Sequence, residues 1–224
     1  MRVMADARTF AELAGSYGPA LDELALAMAA EFRPVDAPAA RARLDALGEE
    51  LAAALAGVGA GDAAGAVRAA AAVLGTAHGF RGGPGSDHPD ASMLDLVLER
   101  RTGLPILLSV VYVEVGRRAA LPLHGVGMPG HFVVAHFGAD PPIVIDPHAG
   151  GRPLPRALEP SLMRPWSAHE IAMRMLNNLV HAYTRALDVG SAIHAARLRL
   201  LLPAARAHRT ALTQQLRALE ARLN

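Results

Sequence analysis

The sequence contains no cysteine and no lysine, so all 22 of its basic side chains, histidine apart, are arginine. Without cysteine, the chain can form no disulfide bond, no thiolate metal site and no thiol nucleophile. Without lysine, no side-chain amine is available to form a Schiff base or to accept an acyl group. Any catalytic site in this chain must therefore work without a thiol.

Long apolar runs are also absent. Although 52% of the residues are hydrophobic, many of them are alanine, and no uninterrupted run approaches the roughly 18–20 residues of a membrane span. The first residues reach Asp6 and Glu12 without an apolar core, so we expect no secretory signal. The composition is typical of a globular protein, and we expect it in the cytoplasm with no membrane partner.

The net charge is only +1, but the charges are unevenly distributed. Residues 164–224 carry nine arginines against three acidic residues. These arginines are scattered at helical spacing among alanine and leucine, without a dense cluster or interleaved aromatic residues. This pattern favours a solvated helix face, so we expect no nucleic-acid partner.

Amphipathic segments predict helices at both ends of the chain. Apolar residues recur every three or four positions over residues 20–32 and 38–57, and a third segment follows Asp62. We therefore predict a helical N-terminal subdomain over residues 1–79. Three more helices are predicted in a C-terminal extension over 161–224, which is typical of a helical hairpin or repeat.

The middle of the chain, residues 80–160, has a different pattern. The segment 106–119 is apolar almost all round and follows Pro105, which predicts a buried helix. Glu114 lies within this helix and needs a partner, for which a nearby arginine is the best candidate. Three short runs of β-branched residues come next, each bounded by glycine or proline, and they predict antiparallel strands.

Two of these strands carry a polar residue where a buried strand normally has none. His131 lies in the second run, HFVVAHF, and Asp146 in the third, PIVIDP. Alternation places His131 on the same face as Val133, and Asp146 on the same face as Val144. A histidine and a carboxylate on neighbouring strands after a helix follow the order of a thiol-type triad, whose nucleophile is expected at the helix start.

Four stretches together carry a family resemblance: FRG at Phe80, SMLDLVLERRTGLPILLSVVYVEVGRR, GVGMPGHF and VIDPHAGG. They resemble the SirB family of bacterial transglutaminase-like proteins, from about PALDELALAMAAEFRPVD to MRMLNNLVHAYTRAL. The resemblance implies an α+β transglutaminase/papain-like core over residues 80–160, in which a central helix packs on a small antiparallel sheet. It also implies that the C-terminal helices are similar to the helical repeat that commonly follows this domain.

The resemblance also assigns the site. Catalytic relatives have a cysteine on the helix, a histidine on the next strand and an aspartate on the one after. His131 and Asp146 match the last two, whereas the cysteine position falls at or beside Pro105. Neither Pro105 nor Ile106 can act as a nucleophile, so we expect no transglutaminase or thiol-protease activity.

The first interpretation of this site is a non-catalytic binding or regulatory module without a cofactor. His131 and Asp146 would then form a structural hydrogen-bonded pair. The partner would be a protein or peptide, bound between helix and sheet or on the C-terminal helices. The sequence does not determine the oligomeric state.

Two alternatives remain open. One is an acyl hydrolase or transferase that uses Ser109 with His131 and Asp146. Ser109 lies four residues beyond Pro105, about 6 Å along the helix, and a buried helical serine usually bonds the carbonyl four residues back instead. The other is a divalent-metal site formed by His131, Asp146 and His148, a two-histidine, one-carboxylate set.

Overall fold

The computed structural model describes residues 8–84, 88–154, 159, 161 and 163–222. Contacts group the chain into two compact units, Met1–Val35 with Ala168–Asn224 as one and Asp36–Ser167 as the other. The division inferred from sequence pattern, 1–79, 80–160 and 161–224, stays a prediction. Among the described residues, no helix is long and apolar enough to cross a membrane.

The unit Asp36–Ser167 combines helices with one small sheet. Its helices are α3 (Ala37–Leu55), α4 (Ala63–Ala70), α5 (Leu94–Arg100) and α6 (Pro105–Arg118), with a π-helical segment over Ala71–Ala77 and 3₁₀ turns over Pro89–Ser92 and Pro147–Ala149. Its strands are β1 (Leu123–Met128), β2 (His131–His136), β3 (Ile143–Asp146) and β4 (Arg152–Pro153).

The sheet has the order β1-β2-β3-β4, and every neighbouring pair is antiparallel. Successive side chains alternate between its faces. Val126, Val133 and Ala135 share one face and form a buried cluster, against which Val144 packs. The predicted α+β class, with a helix beside a small antiparallel sheet, is therefore confirmed.

Helix α6 is the buried centre of this unit. Leu104 is its N-cap and Pro105 its first residue, a position where proline is tolerated because the first backbone N–H groups have no partner within the helix. Leu107 and Val111 are completely buried. The helix packs against α3, β1 and β2, as expected of a helix that is apolar on all sides.

Glu114 is the exception on this helix, because it is an acidic residue that is only 2% exposed. Arg117 donates to its Oε2 atom from Nε at 3.0 Å and from Nη2 at 2.8 Å. Arg118 donates to the same oxygen at 2.7 Å and also bonds Asp45 of α3 at 2.6 Å. The predicted arginine partner is confirmed, and Arg118 additionally ties α6 to α3.

A tryptophan covers one edge of the sheet. The backbone N–H of Trp166 donates to the carbonyl of Gly125 in β1 at 3.0 Å. Its ring meets Phe132 edge to face at 5.4 Å, and lies so close to Gly127 that a Cβ there would clash with it. Glycine at this position therefore allows close packing.

In the other unit, all regular secondary structure among the described residues is helical. It contains α1 (Phe10–Gly15), α2 (Leu21–Ala30), α7 (Ala168–Arg185), α8 (Val189–Arg199) and α9 (Arg206–Glu220). Within it, α2 packs on α7, α7 on α8, and α8 on α9. Phe32, just after α2, stacks on Tyr183 at 5.3 Å and meets His194 edge to face at 5.2 Å.

We predict that Glu114→Ala lowers the free energy of unfolding by about 3 kcal/mol, because it leaves the largely buried Arg118 without its main counter-charge. Urea denaturation followed by circular dichroism measures this loss. Glu99→Ala, at an exposed position on α5, is the control and should change stability by less than about 0.5 kcal/mol. Equal losses in the two variants would contradict the structural role of Glu114.

Candidate functional site

The register of β2 and β3 brings the two predicted polar residues together. Ala135 pairs with Val144, so the next step of the ladder places Asp146 opposite Val133. His131 lies two residues further along β2 on the same face, a diagonal position that a histidine side chain can span. Its Nε2 atom lies 2.9 Å from Asp146 Oδ2, which makes the predicted hydrogen-bonded pair.

The second oxygen of Asp146 organises the turn after β3. Its Oδ1 atom accepts a hydrogen bond from the backbone N–H of His148 at 2.9 Å, which caps the 3₁₀ turn that begins at Pro147. The backbone carbonyl of Asp146 accepts from Gly151 N–H at 2.8 Å. The chain can close this tightly because Gly150 and Gly151 adopt left-handed conformations, with φ of +72° and +79°.

The pair is only partly shielded from water. The side chain of His131 is 29% exposed and that of Asp146 is 20% exposed. Both side chains can thus be contacted from solvent. A ligand lying across the end of β2 would touch the imidazole directly.

The FRGG loop links this turn to the end of α5. Arg81 N–H donates to the carbonyl of Arg101 at 3.1 Å, and Gly82 N–H donates to that of His148 at 2.8 Å. A Cβ at Gly82 would overlap the His148 ring, so glycine permits the close approach. The His148 ring in turn meets that of His131 at 6.0 Å, nearly perpendicular.

The divalent-metal alternative stays a prediction. Its three candidate ligands, His131, Asp146 and His148, all lie in the described part of the chain, where no group of three or more histidine, aspartate or glutamate side chains is arranged to hold a metal ion. Both carboxylate oxygens of Asp146 already accept hydrogen bonds within the site.

Ser109 does not have the surroundings of a nucleophile. Its residue is completely buried, so a substrate cannot reach it without displacing the core. Its Oγ atom has no hydrogen-bond partner among the described residues, so the bond to the carbonyl of Pro105 that is usual for a buried helical serine does not form. Pro105, at the proposed position of the lost nucleophile, is the first residue of α6.

Tyr112 is a site residue that sequence reasoning missed. Its hydroxyl is buried and has no hydrogen-bond partner among the described residues. It lies in a cradle of two glycines: a Cβ added at Gly151 would be 2.8 Å from the hydroxyl oxygen, and one at Gly75 would be 3.1 Å away. Burial, and secondarily the negative charge of Asp146, raises the pKa of Tyr112 far above its ordinary value. The phenol therefore stays protonated.

The signal for Tyr112 was present in the sequence. It is one of the few polar residues in a largely apolar helix, and Gly150-Gly151 follows the predicted aspartate strand. The two features are separated by more than thirty residues, so only the packing of α6 against the turn after β3 relates them.

We predict that Asp146→Ala lowers the free energy of unfolding by about 2 kcal/mol, because it removes the acceptor of His131 and the cap of the turn together. Asp146→Asn keeps one oxygen, which can still accept the capping bond from the His148 N–H, and should lose less. A double-mutant cycle with His131→Ala, measured by urea denaturation, should give a coupling of about 1 kcal/mol. A coupling near zero would mean that the hydrogen bond contributes nothing to stability.

Comparisons with known proteins agree with this architecture. Residues 38–158 match the transglutaminase-like superfamily. UPF0162 proteins from two strains of Xylella fastidiosa are 52% identical over 66 residues, 30% of this chain and 24% of theirs. A UPF0162 protein of Pseudomonas aeruginosa is 38% identical over 138 residues, 60% of this chain and 48% of its own.

The aligned region thus spans about half or less of the length of these curated relatives. No solved structure matches the chain significantly. The superfamily match covers more than half of the 224 residues and includes α6, His131 and Asp146. The chain therefore belongs to the transglutaminase-like superfamily.

Proposed function

We propose that this transglutaminase-like domain is a non-catalytic binding module that recognises a protein or peptide. One observation carries the proposal: the helix start where catalytic relatives are expected to have their cysteine holds Pro105. Proline has no nucleophilic side-chain atom, and no cysteine elsewhere in the chain can replace it. Acyl transfer through a thiol is excluded on that ground.

The remaining polar pair supports a binding role. Asp146 already accepts hydrogen bonds with both carboxylate oxygens, from His131 and from the His148 backbone. Such a satisfied pair persists for its contribution to the structure and needs no reaction to explain it. The exposed part of His131 gives a peptide a polar contact at the end of the sheet.

The proposal also includes the family of the chain and the role of its C-terminal helices. Within the superfamily, we place the chain with the SirB family on the motifs FRG, GVGMPGHF and VIDPHAGG. The helices α7, α8 and α9 then correspond to the helical repeat that follows the domain in that family, and the protein works as a cytoplasmic regulatory partner. Peptide recognition at the His131 face is the activity we assign.

Two assays test whether the protein is catalytic. One measures hydrolysis of an activated ester, and the other measures transfer of an amine to a glutamine-containing peptide. We expect purified wild-type protein to give no rate above buffer, and Ser109→Ala and His131→Ala to behave identically. Ser92→Ala is a matched control, because Ser92 is also fully buried and its hydroxyl also lacks a partner among the described residues. A wild-type rate lost in Ser109→Ala but kept in Ser92→Ala would establish the serine hydrolase instead.

Binding is tested by selecting displayed random peptides on the immobilised full chain. We expect convergent sequences whose affinity falls about tenfold in His131→Ala, the loss expected for one good contact to an imidazole. His78→Ala is the control, since His78 is also paired with a carboxylate, Glu50, at 2.6 Å. Its side chain is 24% exposed, a fraction similar to the 29% of His131. Peptides that bind both variants as tightly as wild type, or no convergence at all, would refute the proposed site.

A further inference from the structure

A cavity lies among α7, α8 and α9. It has a volume of about 490 Å³, within the range of pockets that bind small molecules. Its polar lining residues are Asn177, His181, Thr184, Arg199, His208, Gln215 and Arg222. None of the described residues that line it is acidic, so the cavity presents donors and positive charge.

Arg199 is the central feature of this cavity, because it is a charged residue that is only 3% exposed. Its Nη1 atom donates to Asn177 Oδ1 and to Gln215 Oε1, each at 3.0 Å. Both acceptors are neutral amides. The buried Nε and Nη2 atoms have no hydrogen-bond partner among the described residues.

The burial of the Arg199 charge is not compensated by an anion among the described residues. A buried guanidinium normally has a carboxylate or other anion beside it, because removing its charge from water is costly. Here burial lowers the pKa of Arg199 from its ordinary value, although the side chain stays charged. The Nε and Nη2 donors point in parallel, the geometry in which arginine binds the two oxygens of a carboxylate or phosphate.

Acidic residues on the same helices form hydrogen bonds and ion pairs with other residues than Arg199. Glu220 pairs with Arg197 at 2.8 Å, and Asp188 caps α8 by accepting from Ser191 N–H at 3.0 Å. Residues 164–224 also carry nine arginines against three acids. The helices around the cavity therefore favour an incoming anion electrostatically.

We propose that this cavity binds a small-molecule oxyanion, a carboxylate or a phosphate, which supplies the counter-charge that Arg199 lacks. Asn177 and Gln215 hold one end of the guanidinium in place, and the anion approaches its unused edge. Because both amides bond Nη1, they leave Nε and Nη2 for the anion. The inference is independent of peptide binding at His131, since it concerns the other compact unit.

The test uses the full 224-residue chain and two probes, sodium phosphate and sodium succinate, each compared with sodium chloride at equal ionic strength. Titration calorimetry measures affinity, and thermal unfolding measures the stabilisation that ligand binding must produce. We expect at least one probe to bind with a defined stoichiometry and to raise the unfolding temperature more than chloride does. The probe that binds identifies the class of anion.

The decisive variant is Gln215→Glu, which has nearly the same shape and places a carboxylate on Arg199. We expect it to raise the unfolding temperature without ligand and to weaken probe binding by about tenfold or more. Gln214→Glu adds the same charge at the adjacent exposed position of α9, outside the cavity lining. It should weaken binding by less than about threefold, because exposed charges are screened.

Two outcomes would overturn the proposal. If neither probe binds wild-type protein better than chloride, Arg199 only bridges α7 and α9 through its two amide contacts. If Gln214→Glu weakens binding as much as Gln215→Glu, the anions bind through general positive charge and the cavity is not their site. Neither outcome would affect the peptide test at His131.

Discussion

The hydrogen bond between His131 and Asp146 depends on the register of β2 and β3, and the surrounding site depends on the carboxylate of Asp146. Asp146 accepts from the imidazole with one oxygen and from the His148 backbone with the other. One carboxylate thereby holds a strand and the following turn in place. That turn positions the His148 carbonyl for the FRGG loop and places Gly151 beside the Tyr112 hydroxyl.

The loss of the nucleophile does not require the loss of this framework. Pro105 suits the first position of α6, because it has no backbone N–H that would need a partner there. The helix it begins is the buried centre of its unit, and the Glu114 cluster with Arg117 and Arg118 stabilises its far end. The framework around His131 and Asp146 can thus be held by packing and hydrogen bonds alone.

A buried charged residue in each compact unit has a different kind of partner. Glu114 is only 2% exposed but is matched by two arginines on its own helix, so its charge is compensated within the fold. Arg199 is similarly buried yet meets only neutral amide oxygens among the described residues. Glu114 therefore has a structural role, whereas the charge of Arg199 is available to the proposed ligand. Exposure and residue type alone would not distinguish the two residues.

Apart from the short elements α1 and β4, the sequence by itself determined the helices and strands, the α+β class, and the candidate pair His131 and Asp146. It could do so because hydrophobic periodicity and strand alternation are local properties, and a polar residue in a buried strand is conspicuous. The absence of cysteine likewise needed no structure. Only the tertiary structure decided that Ser109 is sealed in the core, that Tyr112 lies beside the site, and that Arg199 meets no counter-charge in the part of the chain that the structure describes. These facts depend on which residues distant in sequence become neighbours, and local pattern carries no information about that.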